Sequence, residues 1–364
     1  MCNTSAVAPR ALNLLRRQSV TVGDNQKLTD SQGNVMGIDL WIAMGFIAAI
    51  SGTAFLAGRR LSLSVYQDRP LLFAECLVFS LVFAFGLSNR LSWAGAFPTP
   101  AALCWSNWVP IFLGFTAGLA LEVSALRLHW RRGVSFSLSV IAVSFLAMPV
   151  IRPMLFPIKI DETAIWKNGV CLQSHEASCG PAAAATLLHQ NALLTTSPIN
   201  FPTGQWASPP LPSAERMMSI ACLTSSQGTS SLGLVRGLRI AVAGNQQTVR
   251  VADPDPIKWL IKNQLPNIAV VRFTDDHDNG PVRRLLGANG EGHAVVVHSR
   301  TEDGKWRVAD PAVGWRLWDD DRFRQVFTGE AIYLAPAGAD DVPIRSFKKT
   351  KFEWDDDVLV QHPG

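Results

Sequence analysis

Four apolar segments in close succession, about Ile38 to Leu56, Leu71 to Leu87, Trp108 to Leu121 and Val134 to Ile151, constrain this chain more than anything else in it. Each approaches the ~20 residues that an α-helix needs to cross a bilayer. Buried soluble helices are the alternative, but four in a row with Trp41, Trp93, Trp105 and Trp108 at their margins favour a membrane bundle. The composition agrees, with 48% hydrophobic and only 17% charged residues. Charge is also divided unevenly. Residues 1–160 carry 13 Lys and Arg against 6 Asp and Glu, and residues 161–364 carry 20 against 23. The basic excess therefore belongs to the membrane half, and nothing in it points to nucleic acid.

Basic residues also set an expected topology. Arg59, Arg60 and Arg69 follow the first segment and Arg127, Arg131 and Arg132 follow the third, whereas the middle connection holds only Arg90. The positive-inside rule puts the first and third connections in the cytoplasm and both termini outside. The expected organisation is a disordered tail over 1–36, four transmembrane helices over 37–155, a globular domain over 160–337 and a C-terminal tail over 338–364. The tail lacks the apolar core and cleavage pattern of a signal peptide.

After Pro157 the composition becomes that of a mixed globular domain. Helix-like stretches run Pro181 to Gln190, Ser213 to Cys222, Ser230 to Ala241, Pro256 to Gln264 and Asp320 to Phe327. Strand-like stretches run Ile268 to Phe273, His293 to His298, Lys305 to Ala309, Trp315 to Trp318 and Ala331 to Leu334. Helices first and strands later predict an α+β domain with an antiparallel sheet. The proline-rich stretch Asn191 to Pro212 reads as a surface loop.

The stretch QSHEASCGPAAAATLL, Gln173 to Leu188, carries the chemistry. Pro181 and the alanines after it predict a helix start there, which puts Cys179 at a helix N-terminus. The partial positive charge at that end favours a thiolate, and the thiolate is the nucleophile. First-turn amides and the Gln173 side chain can donate to an oxyanion. A Cys-Gly-Pro alone is more often an ordinary buried cysteine ahead of a helix, so partners are needed. GEGHAVVVHS puts His293 at the head of an apolar strand, and KWRVADPAVGW puts Asp310 at the end of the next. A hairpin turn at Glu302 to Gly304 brings both to one edge, where the imidazole can move the thiol proton and the carboxylate can orient the ring. His298 lies at the far end of its strand, and Asp253, in a second Val-Ala-Asp-Pro, reads as a helix cap.

With Gln173, Cys179, His293 and Asp310 in that order, residues from about Asn168 to Leu334 resemble the family-39 cysteine peptidases. These are the papain-like, bacteriocin-processing domains at the N-termini of peptide exporters, which cut after double-glycine leaders. GTSSLGLVRGL, Gly228 to Leu238, and FRQVFTGEAIYL, Phe323 to Leu334, belong to the same resemblance. It implies a papain-like α+β fold and hydrolysis of peptide bonds, with Cys179 as nucleophile, His293 as general base and acid, Asp310 as its orienter and Gln173 as oxyanion donor. Unlike those exporters the chain has no GxxxxGK[ST] loop, carries the domain after its spans, and has Ser178 before the nucleophile.

Of the remaining cysteines, Cys171 and Cys222 form either a disulfide, in an oxidising space, or two buried thiols. His175, Glu176 and His189 fit no zinc spacing, and no cofactor is expected. The expectation is a multi-pass protein of a bacterial inner membrane with an extracytoplasmic cysteine peptidase domain. Its partners are a peptide or protein substrate, the lipid bilayer and a separate transporter. The competing readings are a catalytically silent peptide-binding module, and acyl-transfer or amidase chemistry with the same groups.

Overall fold

The computed structural model describes residues 22–64, 69–123, 127–193, 214–252, 265–273 and 291–338. The N-terminal half is helical: α1 (Val22–Ser64), α2 (Arg69–Gly86), two single turns α3 (Trp93–Ala96) and α4 (Ala102–Trp105), α5 (Val109–Ala120) and α6 (Leu128–Leu155). Helix α1 begins inside the stretch expected to be a tail, and residues 1–21 lie outside the described residues. Among the described residues three helical segments are long and apolar enough to cross a membrane, Ile38–Leu63, Ala102–Ala120 and Leu128–Leu155. Four were expected. Pro70–Gly86 is apolar but shorter, and at 1.5 Å per residue it covers about 25 Å of a ~30 Å hydrocarbon core.

Helix α5 is the centre of this bundle and packs against α1, α2 and α6. Small residues permit a close crossing of α1 and α5: a Cβ added to Gly58 would meet the Phe115 carbonyl, and one on Gly118 would meet the Phe55 carbonyl. Ser51 Oγ, in the same seam, donates to the Pro110 carbonyl at 2.6 Å. Gly114 and Gly118, four apart, put two side-chain-free positions on one face, a device by which helix backbones approach in lipid. The outer surface of the bundle shows Trp41, Ile42, Phe46, Val78, Phe79, Phe85, Phe136 and Val143 exposed. So large an apolar exterior needs an apolar surrounding.

The C-terminal half is an α+β domain. A hairpin of β1 (Ile165–Lys167) and β2 (Val170–Leu172) leads through a 3₁₀ turn at Glu176–Ser178 into α7 (Cys179–Gln190). Then come α8 (Ala214–Ala221), α9 (Ser231–Ala241), β3 (Gln247–Val251), β4 (Asn267–Phe273), β5 (Glu291–Arg300), β6 (Trp306–Asp310), β7 (Gly314–Trp318), α10 (Asp320–Val326) and β8 (Phe327–Pro336). The six strands β3 to β8 make one antiparallel sheet in the order β3-β8-β4-β5-β6-β7. Both faces of the sheet are covered. Ala294 and Val296 of β5 join the cluster under α7 and α9, with Ala183, Leu187, Val235, Ile268 and Ile332. Val295 and Val297 alternate to the other face, against Trp306, Trp318 and Phe323 of α10.

The stretch Pro256 to Gln264, Asp253, and most of the Asn191 to Pro212 loop lie outside the described residues.

The two halves meet at one end of the bundle. Arg236 of α9, 1% exposed, pairs with Asp39 at 2.9 Å. Arg239 donates to the carbonyls of Phe97 and Thr99 at 2.8 Å and of Ala94 at 2.6 Å. Leu223 packs against the buried cluster of Leu40, Ala43, Met44, Ile47, Ala101 and Cys104.

Candidate active site

Cys179 is the first residue of α7, behind a tightly built turn. His175 caps the 3₁₀ turn by accepting from the Ala177 amide at 3.0 Å, and the Ser178 hydroxyl donates to the His175 carbonyl at 2.7 Å. The helix starts two residues earlier than its proline suggests. Pro181 then stands within the first turn, where its missing N–H is one of the donors without an intrahelical partner. Gly180 leaves room for Thr229, which a Cβ there would approach to 3.1 Å. From Gly180 to Leu188 every residue of α7 is buried, so the cysteine is carried on the best-packed helix of the domain.

His293 lies near the start of β5 and Asp310 ends β6, and the β5-β6 hairpin brings them together. His293 Nε2 and Asp310 Oδ1 are 2.8 Å apart, with the two side chains 14% and 12% exposed. Asp310 Oδ1 also accepts from the Ala312 amide at 2.9 Å, which fixes the carboxylate. Cys179 and His293 line the same cleft, close enough for the imidazole to act on the thiol through hydrogen bonding and charge. Since Nε2 faces the carboxylate, Nδ1 is the nitrogen left for the sulfur.

Electrostatics follow from this line of three groups. Burial works to raise the Cys179 thiol, but the hydrogen bond and charge of His293, with the Ala294 and Gly180 amides, bring it below the ordinary thiol value. Burial likewise opposes a charged imidazole, yet hydrogen bonds to Asp310 and Cys179 and the charges of both push His293 up to about 9. Burial would raise Asp310 too, and the His293 hydrogen bond, the Ala312 amide and nearby positive charge hold it below the usual carboxylate range. All three directions favour a thiolate, an imidazolium and a carboxylate in one row.

Gln173 follows β2, and its amide donates to the Pro311 carbonyl at 2.8 Å, joining the segment before the cysteine to the turn after Asp310. Its side-chain Nε2 lies 3.4 Å from the Glu176 carbonyl, a long contact. His293 and Asp310 are thus in contact, Cys179 lines the same cleft as His293, and Gln173 stands on the adjoining loop. His298 is elsewhere: its Nδ1 is 3.2 Å from Gln190 Oε1, and its ring meets Trp315. Cys171 and Cys222 are free thiols rather than a disulfide. Burial pushes each to about 12, and Cys222 is packed against Gly237. Among the described residues no three His, Cys, Asp or Glu side chains are grouped to hold a metal.

A cleft of about 450 Å³ is lined by Cys179, Gly180, His293 and Ala294 together with Gln227 and Gly228. One contributor escaped sequence reasoning. Glu215 of α8 is wholly buried, and its Oε1 accepts from the Ser174 amide at 2.9 Å, bracing the residue after Gln173. A glutamate in the first turn of an amphipathic helix reads as solvent-facing, so no local signal marks it.

No protein-family model and no curated protein matches the sequence. Among solved structures the chain is similar to a double glycine motif protease from an AMS/PCAT transporter in complex with a leader peptide. That similarity has a TM-score of 0.33 and 16% identity, over 49% of this chain and 97% of that one. The peptidase domain of Streptococcus ComA, a bi-functional ABC transporter involved in a quorum sensing pathway, aligns at TM-score 0.31 and 20% identity over 48% and 99%. The peptidase domain of Streptococcus mutans ComA aligns at 0.28 and 22% over 45% and 97%.

Proposed function

We propose that this chain is a membrane-anchored cysteine peptidase that hydrolyses peptide bonds through Cys179, His293 and Asp310. The observation that carries the reading is the His293–Asp310 pair, 2.8 Å apart, with Cys179 lining the same cleft as the imidazole. In the proposed cycle the Cys179 thiolate adds to the scissile carbonyl carbon. The resulting oxyanion lies toward the Cys179 amide at the start of α7, with the Gln173 side chain as second donor. His293 gives its proton to the leaving amine as the C–N bond breaks, leaving a thioester. A water molecule then loses a proton to His293 and attacks the thioester, releasing the acid and restoring the thiolate–imidazolium pair. Asp310 keeps the ring oriented and stabilises its charge.

The membrane arrangement completes the proposal. Asp39 at the start of the first span, the connection Ala94 to Thr99, and Phe156 after the last all contact the C-terminal domain. For these three points to share one end of the bundle, α2 has to cross as well, which supports four spans despite its shortness. Arg59, Arg60, Arg131 and Arg132 belong to the other end, so the positive-inside rule places the domain outside the cytoplasm, on the outer side of a bacterial inner membrane.

The test is the full-length protein against its Cys179→Ala variant in cells, with newly formed protein N-termini identified by mass spectrometry. N-termini that depend on Cys179 are expected. Their absence, with Cys179 still labelled by thiol-reactive probes, would instead favour acyl transfer or amide chemistry on another substrate.

A further inference from the structure

Part of the wall of the cleft that holds Cys179 is fastened to the end of the membrane bundle. The Ser226 amide donates to the Phe156 carbonyl at 2.9 Å, and Arg152 Nη2 donates to the Gln227 carbonyl at 3.3 Å. Ser226 and Gln227 line the cleft, and Phe156 caps α6, whose apolar run ends at Leu155. The next stretch of the same wall, Ser231 and Leu234, belongs to α9. That helix is pinned through Arg236 to Asp39, beside the first residue of the apolar window Ile38–Leu63. It is also pinned through Arg239 to the Ala94 to Thr99 connection. The nucleophile is therefore held beside the plane in which the spans end.

The surface around this junction is apolar. Met154 and Leu155, at the end of α6, are 74% and 64% exposed, and Phe156 is exposed beside them. Met217 and Ile220 are exposed on α8, the helix that leads into the cleft wall. Leu223, just beyond the end of α8, packs against the buried cluster that joins α1 to Ala101 and Cys104. The chain leaving α8 is thereby seated on the end of the bundle. Apolar side chains at such a place sit at the boundary of headgroups and acyl chains.

We propose that the substrate is itself a membrane-embedded polypeptide, cut at a bond just outside its own apolar span. This rests on the peptidase and membrane readings above. An extended chain advances about 3.3 Å per residue, so a bond within about ten residues of a span end reaches the cleft while the span stays in the bilayer. A substrate confined to the same membrane also meets the site at a far higher effective concentration than one in solution.

The experiment maps every Cys179-dependent N-terminus, from cells carrying the wild-type chain or Cys179→Ala, onto the apolar spans of the proteins cut. The expected result is at least about a fivefold enrichment of cuts within ten residues of a span end, relative to all other bonds exposed on the same side of the membrane. Cys179-dependent cuts spread through soluble proteins, or far from spans, would overturn this inference and leave the peptidase reading standing. No Cys179-dependent cuts at all would overturn both.

Discussion

Asp310 shows how much of the site depends on single atoms. One oxygen, Oδ1, takes both the His293 ring and the Ala312 amide, so the carboxylate cannot swing without losing two bonds. Replacing it by Asn keeps the shape and removes the charge that helps hold His293 up to about 9. The thiolate–imidazolium pair exists above the lowered value of Cys179 and below the raised value of His293. The proposed activity should therefore be lost as pH falls and the thiolate is protonated, and again as pH rises and His293 loses the proton that the proposed cycle gives to the leaving amine. In Asp310→Asn we expect kcat to fall by about 10²–10⁴-fold, with the alkaline limb of the kcat/KM profile moving to lower pH. An alkaline limb that stays in place would mean that Asp310 does not set the charge of the ring. Glu215, by contrast, acts through the backbone. Its carboxylate braces the Ser174 amide, and loss of a buried acceptor of this kind costs about 1–3 kcal/mol.

At the scale of elements, some signals were legible and others were overruled. The alternation of Ala294 to Val297 between two covered faces makes β5 a continuous apolar run, and that run is visible in the sequence. The β1-β2 hairpin was missed although its signal is present: Asn168 and Gly169, both at positive φ, make the two-residue turn that joins the strands. Its strands have only three residues each, too short for a periodicity to register. Strand β3, with two charged or amide side chains among five residues, carries little apolar pattern, and its pairing with β8 is a tertiary matter. The juxtaposition of Cys179, His293 and Asp310 could be read from strand order and a hairpin, whereas Glu215 could not, since burial of a charge depends on the whole domain. In the bundle the sequence pattern locates apolar runs and says nothing of which one is central. Gly118 decides that, because α1 passes so near that a Cβ would strike the Phe55 carbonyl. Gly118→Leu should force α1 and α5 apart, at a cost of about 1–3 kcal/mol or more, and lower the Tm of the detergent-solubilised protein. Gly45→Leu, where open space surrounds the position, serves as its control. Equal melting temperatures for the two variants would contradict the close crossing.

Across the whole molecule the chain brings three distant stretches to one place on a base that the helical bundle holds steady. Cys179 comes from the helix buried under the sheet, His293 from its central strand and Asp310 from the neighbour of that strand, while Arg236 and Arg239 lock the cleft wall to the bundle. Without His293 only the Ala294 and Gly180 amides oppose the burial of the Cys179 sulfur, so its thiol should titrate higher. The convergence is therefore tested most directly by the pH dependence of alkylation at Cys179, read by mass spectrometry in the wild type and in His293→Ala. Modification of the wild-type cysteine should rise with a midpoint below that of an ordinary thiol, and in His293→Ala the midpoint should move above it. Superimposable profiles in the two proteins would mean that the sulfur and the imidazole do not share a site.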